Sequence, residues 1–387
     1  MFRMGQEEAN AASRVILSKS LFRIDSKYQE VNNFEKEFKE LIGAQHCLCM
    51  TSGTGALTAS LAALGVGPGD EVILPGYTFI ATAVAILSVG AIPVLCEVDE
   101  SLTLDPADVE AKISPYTKAI IPVHIQGFPS NMDAIMAIAK KHGIYVVEDA
   151  CQADGGSYKG KRLGAIGDMG AFSFNWFKII SSGEGGALVT DDIDLYERAI
   201  IYHDCGTAFW SYEQPITAPL FTGTNMRVGE ITGAVLRVQL TRLDGILGDL
   251  RRVKRTIWEG LAGTGLKMNR SNDAAGDCGV CLPLLFDTPE QAERFASLTG
   301  YDRPINTGKH VYSAWTPVME KRGAHVIGMN PYYNPKNKDL HMDYDDGSCP
   351  KTLDYLKRTV YIPQDCDWTE EEVTEKIRLL REAANQL

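Results

Sequence analysis

Between about residues 47 and 190, apolar positions fall into two alternating patterns. EVILP (Glu71 to Pro75), AIPVLCEVD (Ala91 to Asp99), KAIIPVH (Lys118 to His124) and IYVVED (Ile144 to Asp149) are short, β-branched and nearly all apolar. Runs of this kind read as strands covered on both faces. Between them lie stretches of helical period, such as TGALTASLAALG (Thr54 to Gly65) and MDAIMAIAKKHG (Met132 to Gly143). The alternation predicts an α/β fold with a predominantly parallel central sheet covered by helices. From Glu230 to about Trp258 a long helical period predicts a connecting helix. Separated Pro/Gly/Asn clusters follow, including GMNPYYNPKNKD, and then a charged C-terminal helix, TEEEVTEKIRLLREAANQL. The expected organisation is a large domain over residues 1–248, with an N-terminal helical segment, and a smaller α+β domain over 249–387. There is no internal repeat and no low-complexity segment.

Composition narrows the function classes. At 387 residues, with 45% hydrophobic and 23% charged, the chain has ample length for a large core. A formal charge of −12, with no Lys/Arg-dense run to offset it, argues against a nucleic-acid surface. A small anionic ligand remains compatible, because backbone amides and a few placed cations can hold one. The nine cysteines form no disulfide-framework pattern and read as reduced thiols. Cys278-Gly-Val-Cys281 has no second pair and no histidine cluster nearby, so no metal site is expected. The N-terminus shows no secretory apolar region, and no run approaches the roughly 20 residues of a membrane span. The cytoplasm is the expected compartment, with no membrane partner.

Ligands of open α/β sheets sit beyond the carboxyl ends of the strands, and each chemistry-bearing motif falls just past such an end. Ser52-Gly53-Thr54 precedes a well-formed helix whose first amides suit a phosphate group; a plain N-cap explains the same residues. Asp149 ends a buried strand, where a carboxylate is expensive unless paired. A protonated pyridine nitrogen would pair it, and so would a capping role. Gln152, three residues on, lies on the same side if a helical turn begins there. Phe79 is either core filler or a flat surface for an aromatic ring. Lys178 stands between the aromatic-rich FSFNWF and the turn Gly183-Glu184-Gly185-Gly186, a setting suited to a lysine that must meet a carbonyl compound in a pocket. Ser173 adds a hydroxyl for the phosphate. Each residue alone has a structural explanation. Together, a phosphate seat, a ring-nitrogen aspartate, a stacking phenylalanine and a Schiff-base lysine describe one ligand, pyridoxal 5′-phosphate.

In their order and spacing, SGTGAL, PGYTFIATA, VEDACQA, FSF…K…GEGG and GTNMRVGE resemble the DegT/DnrJ/EryC1/StrS family of sugar aminotransferases. The likeness is expected from about residue 30 to the C-terminus and is weakest between about 260 and 350. It implies a pyridoxal phosphate enzyme of fold type I, a homodimer with each active site at the subunit interface. It implies Lys178 as the Schiff-base lysine, Asp149 as the pyridinium partner, Gln152 near the cofactor O3′ and Phe79 in the stacking position. Gly53, Thr54 and Ser173 match phosphate contacts, and Asn225 matches an asparagine that reaches the phosphate of the other subunit. The family commonly has His-Pro or a similar pair before the lysine, where this chain has Asn175-Trp176-Phe177. A histidine in place of the lysine marks the sugar dehydratase branch, so Lys178 favours transamination. The implied reaction moves an amino group from glutamate or glutamine to a keto or aldehyde sugar, with a cyclitol ketone or other non-nucleotide keto compound as the alternative acceptor. GKHVYSAWTPVMEKRGAH departs from the histidine-tyrosine arrangement of nucleotide-sugar members. His203 is a candidate for the pocket mouth, Arg227 for a donor carboxylate or for bracing its loop, and His310 for an acceptor contact. A non-catalytic regulatory relative is the rival from another class, but it has little reason to keep Lys178, Asp149 and Ser173 together.

Overall fold

The computed structural model describes residues 3–25, 27–206 and 215–387. Seven strands form the central sheet: β1 (His46–Met50), β2 (Glu71–Pro75), β3 (Ile92–Cys96), β4 (Thr117–Ile120), β5 (Tyr145–Asp149), β6 (Met169–Ser173) and β7 (Gly186–Thr190). Their order is β1-β7-β6-β5-β4-β2-β3. The stretch from β3 to β6 is parallel, and β7 is antiparallel to both β6 and β1. The expected strands are present: EVILP keeps its expected bounds, and the other three are shorter. KAIIPVH narrows to Thr117–Ile120 because Pro122 lacks an N–H for the ladder. Val123 nevertheless pairs with Asp149 as an isolated parallel bridge.

The Gly53–Ala63 helix is built from small and apolar residues on every side, and nine of its eleven residues are buried. Such a helix belongs inside the molecule, and it packs against β6 and β7. The Glu230–Gly260 helix is amphipathic and continuous. Its Leu236, Leu243 and Leu250 join the main core, while Val253 and Ile257 join a second apolar cluster with Leu282, Phe295 and Val360. That second cluster covers a three-stranded antiparallel sheet of Lys267–Met268, Cys281–Leu285 and Thr359–Pro363. The C-terminal half also sends Tyr312, Trp315 and Val318 into the main core. Among the described residues, no helix is long and apolar enough to cross a membrane.

Candidate active site

The carboxyl ends of β1, β2, β5 and β6 open onto one cavity of about 410 Å³. Ser52, Gly53, Thr54, Phe79, Asp149, Gln152, Ser173, Lys178 and His310 all line it. The sheet register brings the pieces together: Gly186 at the start of β7 pairs with Met50 on one side and with Ser173 on the other. A Cβ on Gly186 would lie 2.3 Å from the carbonyl carbon of Ser52. Only glycine permits β7 to run this close to the turn after β1.

The phosphate-type seat is the N-terminus of the Gly53–Ala63 helix. Ser52 caps it, its Oγ accepting from the Gly55 N–H at 3.0 Å. The capping and anion-binding readings are thus compatible, since the Ser52 hydroxyl hydrogen remains to donate. Gly53 lies so close to β6 that a Cβ there would meet Cys151 Sγ at 2.6 Å and Ser173 Cβ at 2.8 Å. This close approach brings Ser173 and the helix N-terminus together on the wall of one cavity.

Asp149 is 5% exposed. Its Oδ2 accepts from the Thr82 hydroxyl at 2.8 Å and its Oδ1 from the Cys151 N–H at 3.2 Å. Thr78 Oγ1 lies 2.9 Å from Thr82 Oγ1, so Thr78 donates to Thr82 while Thr82 donates to the carboxylate. The backbone of Asp149 is locked as well, its N–H donating to Pro122 and its carbonyl accepting from His124. Gln152 Oε1 accepts from the Gln126 N–H at 3.1 Å, which leaves the Gln152 amide N–H groups to face a ligand.

Lys178 sits in a closed turn. The Asn175 side chain accepts from the Phe177 N–H and the Asn175 carbonyl from the Lys178 N–H, both at 3.0 Å. Trp176 N–H donates to the Gly183 carbonyl and Ser182 N–H to the Phe174 carbonyl, which closes the loop at its base. Asn175, where the family pattern has a different pair, therefore shapes the turn that presents the lysine. Burial pushes the neighbouring Cys151 thiol well up, keeping it protonated and unreactive. Burial also holds the enclosed Asp154 carboxyl well above the usual range, against the opposing pull of the Lys178 ammonium.

The sequence profile described as the DegT/DnrJ/EryC1/StrS aminotransferase family matches residues 3–381. The chain belongs to that family. The match begins earlier than residue 30 and takes in the N-terminal helix. Spore coat polysaccharide biosynthesis protein SpsC of Bacillus subtilis is 33% identical over 401 aligned positions, covering 98% of this chain and 95% of that protein. The dTDP-3-amino-3,4,6-trideoxy-alpha-D-glucose transaminase of Streptomyces venezuelae is 42% identical over 237 positions, 60% of this chain and 61% of the relative. The crystal structure of 3-amino-5-hydroxybenzoic acid synthase superposes with a TM-score of 0.80 at 28% identity, covering 100% of this chain and 98% of that one. The protein is therefore a pyridoxal phosphate-dependent aminotransferase with the fold of that class. The site fits the cofactor on its own geometry: capped helix amides beside Ser173, an enclosed carboxylate at Asp149 and a lysine lining the same cavity.

Three expected residues lie outside this cavity. His203, a candidate for its mouth, is instead fully buried as the last residue of the Ile193–His203 helix, and neither ring nitrogen has a hydrogen-bond partner. The last helical turn faces the core, and the Met226 N–H donates to the His203 carbonyl, closing the strap over it. Burial, with Arg23 and Arg227 adding to it, holds this imidazole well below its ordinary range and thus neutral. Arg227 does not line this cavity either: it pairs with the buried Asp204, bracing its loop. Asn225 is exposed, and its Oδ1 accepts from the Arg227 N–H at 3.1 Å. Sequence reasoning passed over Thr82, Gln126 and Lys309. The pair Thr78 and Thr82, four apart at a helix start, was the one signal available for the first of these.

Proposed function

We propose that this aminotransferase moves an amino group from glutamate or glutamine to a keto or aldehyde sugar, in amino-sugar biosynthesis. The observation that carries the residue assignment is the convergence of Lys178, Asp149, Ser173 and the Ser52–Thr54 helix end on one cavity. The amino sugar named in the Streptomyces venezuelae relative supports the substrate class. Pyridoxal phosphate, when bound, supplies the electron sink that lets a proton leave the donor's α-carbon. Lys178 would hold the cofactor at its carbonyl carbon and, when free, would take up and return the proton of the donor α-carbon. Asp149, held by Thr82 and the Cys151 amide, would keep a proton on the ring nitrogen. Gln152 would donate to the ring oxygen, Phe79 would cover one ring face, and Ser52, Gly53, Thr54 and Ser173, which line the same cavity, would hold the phosphate.

The same proposal includes a homodimer in the cytoplasm, with exposed Asn225 reaching the partner's phosphate seat. It also keeps the division into residues 1–248 and 249–387, supported by the separate apolar cluster around Leu282 and Phe295. A cyclitol or other non-nucleotide ketone is the second reading of the acceptor. It is favoured by the departure of the Lys309–Trp315 segment, whose Lys309 and His310 line the cavity, from the histidine-tyrosine arrangement. The test is the absorbance of purified protein with pyridoxal phosphate before and after excess glutamate or glutamine, followed by borohydride reduction and peptide mapping. A yellow species that bleaches with donor and a label on Lys178 are expected. A colourless protein, or a label on another lysine, refutes the assignment.

A further inference from the structure

An α-amino acid keeps its carboxylate throughout transamination, and this cavity is lined by two acidic side chains, Asp149 and Glu184. An anionic substrate therefore needs a cation to offset them. Arg227 is not that cation, being committed to Asp204. Lys178 is committed to carbonyl chemistry. His310 is neutral, because burial pushes its imidazole down to about 4, with Lys309 and Lys178 adding to the effect. Among the described residues lining the cavity, that leaves Lys309.

Lys309 has a fixed base and an unneutralised head. Its carbonyl accepts from the Ile80 N–H at 3.0 Å and from the Trp315 indole N–H at 3.1 Å. The next carbonyl, of His310, accepts from the Thr78 N–H at 3.0 Å. These bonds pin the segment to the turn that carries Phe79. The ammonium lies 5.7 Å from the Phe79 ring centroid and 5.5 Å from that of Phe177, an exposed ring beside Lys178. Ring faces attract a cation but accept none of its three N–H bonds in the way an oxyanion does. No carboxylate pairs with Lys309 among the described residues, and the side chain is exposed at the mouth. We infer that Lys309 anchors an anionic group of the substrate: the α-carboxylate of the amino donor, or a phosphate carried by the acceptor. The inference rests on the function proposed above and adds the residue that reads the substrate's charge.

The test compares wild type, Lys309→Met and Lys309→Arg, all loaded with pyridoxal phosphate, with circular dichroism confirming that each is folded. Calorimetric titration uses two probes that cannot react, succinate and inorganic pyrophosphate. Lys309→Met is expected to weaken at least one probe by about tenfold or more, and Lys309→Arg to restore most of it. Loss confined to succinate assigns the donor carboxylate, and the KM for the amino donor then rises with kcat nearly kept. Loss confined to pyrophosphate assigns a phosphate on the acceptor. Equal binding of both probes by wild type and Lys309→Met, or no binding of either by wild type, overturns the inference. The titration does not depend on turnover. Failure of the proposed reaction, seen as no bleaching of wild type by an amino donor, is therefore distinguishable from failure of the Lys309 assignment.

Discussion

Replacing Gly53 by alanine tests whether the phosphate seat depends on how closely its helix approaches β6. The new Cβ would sit 2.6 Å from Cys151 Sγ, 2.8 Å from Ser173 Cβ and 3.3 Å from the Phe172 carbonyl oxygen. Carbon atoms pack best at roughly 3.5–4.0 Å, so the helix end must retreat from the strand by about 1 Å. Cys151 Sγ ends a short side chain, but Ser173 Cβ and the Phe172 carbonyl belong to a strand paired on both edges and cannot swing aside. Overpacking of this kind costs about 1–3 kcal/mol of stability. The same retreat separates Ser173 from the helix amides. Losing one hydrogen bond to a charged phosphate costs about 1.5–3 kcal/mol, or about ten- to a hundredfold in cofactor affinity.

The assay is absorbance titration of apoprotein with pyridoxal phosphate, paired with thermal unfolding of the apoprotein. Gly55→Ala is the control. Its Cβ would meet nothing closer than Met226 Sδ and Ser52 Oγ, both at 3.3 Å, and the former is the end of a flexible side chain. Gly53→Ala is expected to lose both affinity and melting temperature, and Gly55→Ala to keep its affinity within a few-fold. Wild-type affinity in Gly53→Ala, or equal losses in the two variants, would refute the close-approach argument.

Asp149→Asn removes the charge that holds a proton on the ring nitrogen, and kcat is expected to fall by several orders of magnitude with the fold intact; a loss below about tenfold, roughly 1.4 kcal/mol of barrier, sinks the role. Thr82→Val removes the hydroxyl that donates to Asp149 Oδ2 at 2.8 Å, so single-turnover kinetics should slow by about tenfold while cofactor absorbance is retained. His310 and His203 both have folded-state values below the ordinary 6.5, His310 at about 4. The unfolded chain therefore binds more protons in that window, and stability should fall as pH drops from about 6.5 toward 4. Melting temperatures measured across that range should show a shallower slope in His310→Gln, and an unchanged slope would contradict the assignment.

The parts legible in the sequence are those written locally. All-apolar runs gave the parallel strands because both faces of that sheet are covered, and Asp149, Gln152, Ser173 and Lys178 could be singled out because the first and third end their strands and the other two follow within a few residues. Strand lengths were overestimated where Pro122 interrupts the ladder, since hydropathy alone does not register a missing N–H. His203 shows the opposite limit. A polar residue at a helix C-terminus looks like a surface or pocket group, and only the tertiary packing over it shows that His203 is enclosed.

Lys309 and Gln126 were illegible for a shared physical reason: their positions are set by pairing with distant segments. The isolated bridge between Tyr77 and Val311 carries Lys309 to the cavity. Gln126 faces Gln152 because a single residue at φ 52° turns the chain after His124. Neither pairing leaves a local periodicity. This separates two layers of the site. The cofactor contacts grow from the ends of one sheet and are constrained by its register, as the close approach of Gly186 to Ser52 illustrates. The substrate-side cation arrives on a segment held by a handful of backbone bonds, whose side chains can change without disturbing those strands. Lys309→Met should accordingly alter anion binding while leaving the pyridoxal phosphate affinity that Gly53→Ala lowers.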